Sequence, residues 1–442
     1  DAPVDLTVSD TTNSDLAAGI GGISIGMTDG TTTTGGSLVF LDSLDLTNST
    51  LSAADGIEVV DGNVEFVGPV SLTTDPLPGG LNPSVIGNIT IGDAVDPATG
   101  GNLVVDTGIT GTNKTAIGDL TLTDGDILLS GPISLGDDLG TGSAFGGDTD
   151  TKIGLIDVQD GFIGGSAGVA DITAGRIAGL SVENSDPGQG VLLNAVIRAV
   201  DFQDNTVGDG GSFGDINLVQ TNESGVGLTL GTAENPDPTK LSWEYGNQIL
   251  SAGSIGSVNI ESDGNILAND ASLIIGAGVN SVNNGTGAGE QMRLPAGLTE
   301  IPSIGDIEIT ADFSGSTYGD NDGYGEGLAI WAGLYVEAET SFSPETGTPL
   351  PGVPSEWYYN TVNQAQIGNI TINDIDGAPD LDIDRGTPVT VDGAQGGLSA
   401  TIAVNALSGD DIGTLTVQHN GADFKTDLEP TVLEPFSHLT NN

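Results

Sequence analysis

The sequence IGNITI, at residues 86–91, is the strongest indication of the fold, because close copies of it recur along most of the chain. Each copy has the form Ile-Gly-Xaa-(Ile/Leu/Val)-Xaa-(Ile/Leu/Val), and this alternation with a period of two is typical of a β-strand with one buried face. The other copies are IGDLTL at 117–122, IGLIDV at 153–158, FGDINL at 213–218, IGSVNI at 255–260, IGDIEI at 304–309, IGNITI at 367–372 and IGTLTV at 412–417, with looser relatives at 22–27 and 177–182.

A unit that repeats as a single strand cannot bury its apolar face alone, so the copies must stack on one another. Their spacing is irregular, from 31 residues between Ile86 and Ile117 to 63 between Ile304 and Ile367. Such intervals fit one or two coils of a parallel β-helix with loops inserted at a corner. We therefore predict an all-β fold with an elongated parallel β-helix or β-solenoid-like body and long loops. A mixed β-sandwich with one strand per repeat stays open as an alternative.

The composition agrees with thin stacked strands. The chain has 442 residues, of which 70 are Gly and only 4% are aromatic, so large core-filling side chains are few and helix formers do not dominate. The pattern divides the chain into an N-terminal strand segment at 1–20, a solenoid-like body at 21–317, an aromatic-rich insertion at 318–360, and final coils with a C-terminal cap at 361–442.

Charge excludes several classes of partner. The chain has eight Lys and Arg and 62 Asp and Glu, which gives a net charge of -54. This charge repels nucleic acid, whose affinity for proteins comes mainly from basic side chains. The carboxylates form either a solvated coat or, in part, sites for divalent cations. No apolar run is long enough to span a membrane. A chain that starts at Asp1 looks like the product of signal-peptide cleavage, so we expect an extracellular or cell-surface location.

The stretch QILSAGSIGSVNIESDGNILANDASLIIGAG, at residues 248–278, carries a resemblance. It is similar to the secreted bacterial or archaeal surface β-helix and filament repeat proteins that have coils of the IGxIxI type. This resemblance implies stacked parallel β-helices and a role as an adhesin, a fibre or a surface coat.

Two acidic clusters are candidate Ca²⁺ sites, because Ca²⁺ takes six to eight oxygen ligands and Asp at alternating positions on a Gly-containing loop can supply several of them. Alternating Asp is equally the pattern of a solvated strand face. The candidate ligands are Asp374, Asp376, Asp380, Asp382 and Asp384 in the first cluster, and Asp320, Asp322 and Glu326 in the second.

Two segments are candidate interfaces. The alternating Val4, Leu6 and Val8 form a terminal strand that either completes a neighbouring molecule's sheet or caps the chain's own stack. The aromatic-rich insertion forms a local mini-core, a subunit interface or a glycan-binding patch. Its candidate contact residues are Trp331, Tyr335, Trp357, Tyr358 and Tyr359.

Catalysis is not expected. No two of the eight basic residues lie within ten residues of each other, and both His residues are isolated from any nucleophile motif. We expect a secreted structural protein whose only cofactor is Ca²⁺, if it has one, and which self-assembles into an extracellular filament or surface coat through terminal strand complementation. The alternative is a calcium-dependent adhesin or a carbohydrate-binding surface protein that contacts glycans.

Overall fold

The structure, a computed structural model, is built of β-strands and contains no helix within the residues that it describes. Within those ranges no segment has the helical length and apolarity needed to cross a membrane. The described residues are 6–9, 18–20, 22–25, 27–28, 33–34, 36–51, 56–74, 83–92, 100–112, 114–136, 151–165, 169–185, 192–199, 211–221, 247–251, 253–265, 272–277, 303–312, 327–332, 366–374, 383–384, 402–406, 415–419 and 439–441.

The chain forms two compact units, Asp1–Asp204 and Asn205–Asn442. Each unit has a sheet made of the repeated motif, which we call the motif sheet, and a second sheet. Unit 1 also has a third sheet. The motif sheet of unit 1 contains β2 (Ala18–Ile20), β3 (Ile23–Ile25), β8 (Ser49–Leu51), β9 (Ile57–Val59), β12 (Val85–Ile86), β13 (Ile89–Ile91), β16 (Ala116–Ile117), β17 (Leu120–Thr123), β20 (Lys152–Gln159) and β23 (Arg176–Asn184).

The other two sheets of unit 1 also consist of short parallel strands. The second sheet contains β1 (Leu6–Ser9), β7 (Leu44–Thr47), β11 (Val70–Thr73), β15 (Ile109–Thr112), β19 (Ile133–Leu135), β22 (Ala170–Ala174) and β24 (Ala195–Ala199). The third sheet contains β6 (Leu38–Phe40), β10 (Val64–Phe66), β14 (Leu103–Val105), β18 (Ile127–Leu129) and β21 (Ile163–Gly165). The chain visits the motif, third and second sheets in that order, once per turn, from β8 to β22.

Unit 2 repeats the motif sheet and the second sheet. Its motif sheet contains β25 (Ser212–Gln220), β27 (Ser254–Ile255), β28 (Val258–Asn265), β30 (Ser303–Ile304), β31 (Ile307–Asp312), β33 (Gln366–Ile367), β34 (Ile370–Asp374), β37 (Leu415–His419) and β38 (Leu439–Asn441). Its second sheet contains β26 (Asn247–Ser251), β29 (Ser272–Ala277), β32 (Gly327–Ala332), β35 (Ile383–Asp384) and β36 (Ile402–Ala406).

Consecutive copies of the motif pair directly and in register. In unit 1, Ile86 is the partner of Ile117, and Ile117 is the partner of Ile153. In unit 2, Ile304 is the partner of Ile367 across the 63-residue interval, so that interval corresponds to one turn of the stack. The predicted stack of parallel strands is therefore confirmed.

The β-sandwich alternative is wrong, because the strands of these sheets pair in parallel, whereas sandwiches are built mainly from antiparallel sheets. The one antiparallel pair among the described strands is the small hairpin of β4 (Met27–Thr28) and β5 (Thr33–Thr34).

The core is a set of columns of small aliphatic side chains. Ile86, Ile89 and Ile91 are at most 1% exposed, and Thr90 between them is half-buried on the outer face. The same alternation holds in the third sheet, where Val64 and Phe66 are fully buried on either side of Glu65. Short strands such as β10 and β13 thus bury two apolar residues each, which explains how a chain poor in aromatic residues keeps a continuous core.

Candidate functional site

The predicted calcium ligands are only partly within the described residues. Asp374 lies in β34 of the motif sheet and Asp384 in β35 of the second sheet, so the structure assigns these two residues to different sheets of unit 2. Within the described part of the chain there is no group of three or more His, Asp or Glu side chains that could hold one ion. The remaining candidates lie outside the described residues: Asp376, Asp380, Asp382, Asp320, Asp322 and Glu326. The calcium sites therefore stay predictions.

The predicted N-terminal interface strand is β1, which pairs with β7 of the same chain. Leu6 is the partner of Leu44, and Val8 is the partner of Leu46, in parallel orientation. Val4 lies outside the described residues. The strand therefore occupies a position on the chain's own second sheet, next to its first complete turn.

The aromatic-rich segment contributes a strand to the stack of unit 2. Trp331 lies in β32, where its backbone pairs with Gly276 on one side and Asn405 on the other. A stretch that interrupts the sequence pattern therefore still supplies one rung of the second sheet. The other four aromatic candidates lie outside the described residues: Tyr335, Trp357, Tyr358 and Tyr359.

Side-chain ladders hold neighbouring turns together at the corners. In the motif itself, Asn88 Oδ1 accepts the backbone N–H of Asp119 at 3.0 Å, and Asp119 Oδ1 accepts that of Leu155 at 2.9 Å. The same bond recurs in unit 2, where Asp306 Oδ1 accepts the N–H of Asn369 at 2.8 Å. The Asn or Asp that follows Ile-Gly thus satisfies a backbone donor of the next turn, which is a structural role for part of the acidic composition.

The first strand of the third sheet has an open edge. Among the described strands, β6 pairs only with β10. The N–H of Leu38 donates to Asn63 O at 2.8 Å, and the carbonyl of Phe40 accepts the N–H of Val67 at 2.9 Å. Since consecutive residues of a parallel strand turn their backbone groups to opposite sides, the N–H and C=O of Val39 point away from β10.

Apolar side chains accompany this open edge. Val39 is 39% exposed and Leu41 is 51% exposed. The ring of Phe40, which is half-buried, stacks on the ring of Phe66 with a centroid distance of 4.9 Å and an interplanar angle of 6°. A strand edge with free backbone groups and exposed apolar side chains can accept another strand. We call β6 with Leu41 the open edge.

The outer face of β20 and β23 carries both basic and acidic side chains. Lys152 and Arg176 are partners at the first position of these strands, and Asp157 and Ser181 are partners further along. Burial raises the pKa of the Asp157 carboxyl, the Gln159 side-chain hydrogen bond opposes this, and the negative charge of Glu183 adds to the increase.

The two basic residues of this face are 24 residues apart in the sequence, and parallel pairing brings them together. Their separation along the sequence therefore does not keep Lys152 and Arg176 apart in the fold. Sequence distance misses the pair because neighbours in a solenoid are one turn apart. The signal that could have found it is their common position, since each stands immediately before the first Ile of its motif copy.

Comparison with protein-family models, with curated proteins and with solved structures finds no match.

Proposed function

We propose that this chain is a secreted structural protein, a subunit that self-assembles into an extracellular filament or surface coat. The observation that carries the proposal is the open edge of β6, where the third sheet of unit 1 stops within the described residues with outward-facing backbone groups and exposed Val39 and Leu41. Unpaired strand edges are templates for pairing with another chain unless they are blocked.

Within the described strand, the residues of the open edge carry none of the usual blocking features. Proteins commonly protect an edge strand with Lys, Pro, a bulge or an inward-pointing charge. The sequence of β6 and the next residue is Leu-Val-Phe-Leu, which has none of these. A strand from a second copy of the chain, added in parallel, would continue the third sheet by one more rung.

The charge of the chain supports an exposed, repetitive assembly. A net charge of -54 spread over turns and outer faces keeps a large polymer soluble and limits unspecific lateral aggregation. Growth by backbone pairing at a strand edge depends on short-range hydrogen bonds, which salt weakens little. Salt does weaken the repulsion between the exposed charges of neighbouring molecules. Assembly should therefore become easier as ionic strength rises.

The test is electron microscopy and sedimentation velocity of the purified full chain, with Val39→Pro as the decisive variant. Proline removes the outward N–H of Val39 and leaves the Leu38 and Phe40 bonds to the β10 side in place, and proline is tolerated at such edge positions. Val39→Ala is the matched control, because it shortens the side chain and keeps the N–H.

We expect filaments or higher oligomers from wild type and from Val39→Ala, and monomers from Val39→Pro, with the same circular dichroism spectrum and melting temperature for all three. Wild type that stays strictly monomeric at high concentration and high salt would refute self-assembly. Filaments that persist in Val39→Pro would refute the open edge as the contact.

A further inference from the structure

The sheets of unit 1 each start with strands that are paired on one side within the described part of the chain. In the second sheet β1 pairs with β7, and in the third sheet β6 pairs with β10. In the motif sheet β2 pairs with β8, and β3 pairs with β9. We call β2, β3 and β6 the first turn. One end of unit 1 therefore presents strand edges of the motif sheet as well as the open edge.

The inward-facing side chains of the motif sheet are less covered in the first turn than in the next turn. Ile23 and Ile25 of β3 are half-buried. Their register partners in β9, Ile57 and Val59, are at most 1% exposed. Since in-register partners on neighbouring strands face the same side of a sheet, the apolar column of the core reaches this end of unit 1 without full cover.

The third sheet shows the same difference between the two turns. Leu38 and Phe40 of β6 are half-buried. Their register partners in β10, Val64 and Phe66, are fully buried. Because burial of apolar surface is favourable, a further turn of strands placed on this end would be stabilised by covering these side chains.

The backbone of β3 shows which way its unused edge faces. The N–H of Ile23 donates to Gly56 O at 3.1 Å, and the carbonyl of Ile25 accepts the N–H of Val60 at 2.9 Å. Both bonds lie on the side of β9, so the N–H and C=O of Ser24 point to the other side. The edge of β3 thus presents backbone groups in the same way as the open edge does at Val39.

The motif sheet of unit 2 ends with a strand that has the complementary edge. β38 pairs in parallel with β37, with Leu439 opposite Leu415 and Thr440 opposite Thr416, and has no second partner among the strands that the structure describes. In both units each later strand is added on the side away from the earlier strands, as in β3, β9 and β13 or in β34, β37 and β38. The unused edges of β3 and β38 are therefore opposite edges of the same kind of sheet.

Ser24 and Thr440 hold equivalent positions in this sheet. Each is the middle residue of a three-residue strand, and the middle residues of successive strands are register partners. A strand that continued the series beyond β3 would place its middle residue opposite Ser24. The series runs through Ser24, Glu58 and Thr90 in unit 1, and through Thr371, Thr416 and Thr440 in unit 2.

We propose that copies of this chain stack head to tail, with β38 of one copy paired in parallel with β3 of the next copy and Thr440 opposite Ser24. The inference rests on the proposed self-assembly and names the surfaces that meet. The contact continues the motif sheet by one strand and brings the next copy onto the half-buried side chains of the first turn.

A two-fold contact between two first turns is the competing arrangement. It would pair β3 with its own copy in antiparallel orientation, and it would close after two copies. The head-to-tail contact keeps the parallel orientation found throughout the described motif sheet. It also leaves one unused edge at each end, so it repeats without closing and gives a filament.

Disulfide trapping tests the contact, because the chain has no cysteine of its own. Adjacent strands lie about 4.8 Å apart, a Cα separation that a disulfide spans. The full-length variants Ser24→Cys and Thr440→Cys are mixed, assembled under the conditions in which wild type forms filaments, and oxidised. Thr90→Cys mixed with Thr440→Cys is the matched control, because Thr90 has the same register position but lies between two paired strands.

We expect disulfide-linked dimers on non-reducing gels from Ser24→Cys mixed with Thr440→Cys, and none from the control mixture or from either variant alone. The double variant, Ser24→Cys with Thr440→Cys, should give a ladder of longer covalent oligomers. Dimers from Ser24→Cys alone would overturn the proposal in favour of the two-fold contact. Filaments whose mixture gives no dimers would overturn the head-to-tail contact and leave self-assembly standing, whereas wild type without filaments would overturn both.

A second pair of variants tests the edge of β3 without cysteine. Ser24→Pro removes the outward N–H and leaves the bonds of Ile23 and Ile25 to the β9 side in place, and Ser24→Ala is its control. We expect loss of filaments for Ser24→Pro and normal filaments for Ser24→Ala, with unchanged circular dichroism spectra for both. Normal filaments from Ser24→Pro would overturn the pairing of β38 with β3.

Discussion

Asn102 accepts the backbone N–H of Asp126 through its Oδ1 atom, at 2.8 Å, and so joins two consecutive turns at the corner before the third sheet. The bond is part of a ladder, because Asn63 Oδ1 accepts the N–H of Asn102 at 2.9 Å, and Asp126 Oδ1 accepts that of Phe162 at 3.1 Å. One amide or carboxylate per turn therefore satisfies one backbone donor of the next turn. Asp126 is the charged member of a ladder whose preceding members are neutral.

The first prediction concerns this charge. Burial raises the pKa of Asp126, the charge of Asp124 adds to the increase, and the bond from Phe162 opposes it. A carboxyl with a raised pKa in the folded state contributes stability below the ordinary Asp pKa and loses it as the pH rises through the raised value. Asp126→Asn keeps the Oδ1 acceptor and removes the buried charge.

We expect Asp126→Asn to raise the free energy of unfolding at neutral pH by roughly 0.5–1 kcal/mol, and to leave it unchanged at a pH below the ordinary Asp pKa. Urea unfolding of both proteins across this pH range measures the difference. A variant that is less stable than wild type at neutral pH would show that the carboxylate itself is needed at the corner.

The second prediction concerns the close approach of glycines in the same corner region. A Cβ added to Gly125 would lie inside the van der Waals radius of the Gly101 carbonyl oxygen of the preceding turn. Because that contact is with backbone, the turn must shift, and we expect Gly125→Ala to cost about 1–3 kcal/mol of unfolding free energy.

Gly36→Ala is the matched control for Gly125→Ala. Its added Cβ would lie 3.3 Å from the Ile25 Cγ2 methyl group, so the neighbour must shift by only a few tenths of an ångström. Thermal unfolding of the two variants should therefore give a clear loss of melting temperature for Gly125→Ala and a small change for Gly36→Ala. Equal losses would mean that the spacing between turns does not depend on glycine at this corner.

Much of the fold can be predicted from the sequence, because equivalent residues of successive repeats lie next to each other in a solenoid. The repeat at Ile86 and Ile117 predicts the register of the two strands directly. The third sheet was harder to foresee, because β10 and β14 are three-residue strands with no shared motif beyond their apolar ends. Distance along the chain does not reveal the pair of Lys152 and Arg176, because the two residues become neighbours only as equivalent positions of successive repeats.

The third prediction concerns two buried threonines at the corner before the motif sheet. Thr115 Oγ1 is buried without a hydrogen-bond partner, whereas Thr151 Oγ1 donates to Leu135 O at 3.0 Å and accepts the N–H of Gly175 at 2.8 Å. An unsatisfied buried hydroxyl costs about 1–3 kcal/mol, and removing a satisfied one leaves its partners unpaired.

Thr115→Val should therefore raise the unfolding free energy by about 1 kcal/mol, and Thr151→Val should lower it by about 1–3 kcal/mol. The two substitutions are chemically identical and lie in consecutive turns, so each serves as the control for the other. Urea unfolding at neutral pH measures both. Destabilisation of similar size in both variants would mean that the Thr115 hydroxyl is satisfied in solution.

The last prediction concerns the net charge of -54, which places many like charges on the turns and outer faces of a chain with eight basic residues. Their repulsion opposes the compact state, and salt screens it over about 8 Å at physiological ionic strength. We expect the melting temperature to rise by several degrees between low and moderate NaCl. CaCl₂ at equal ionic strength separates screening from binding, because a specific calcium site adds stability by mass action beyond the effect of NaCl. A larger increase with CaCl₂, reversed by EDTA, would support the calcium sites predicted at Asp374–Asp384 and Asp320–Glu326, whereas equal curves for the two salts would mean that the carboxylates act only as a solvated coat.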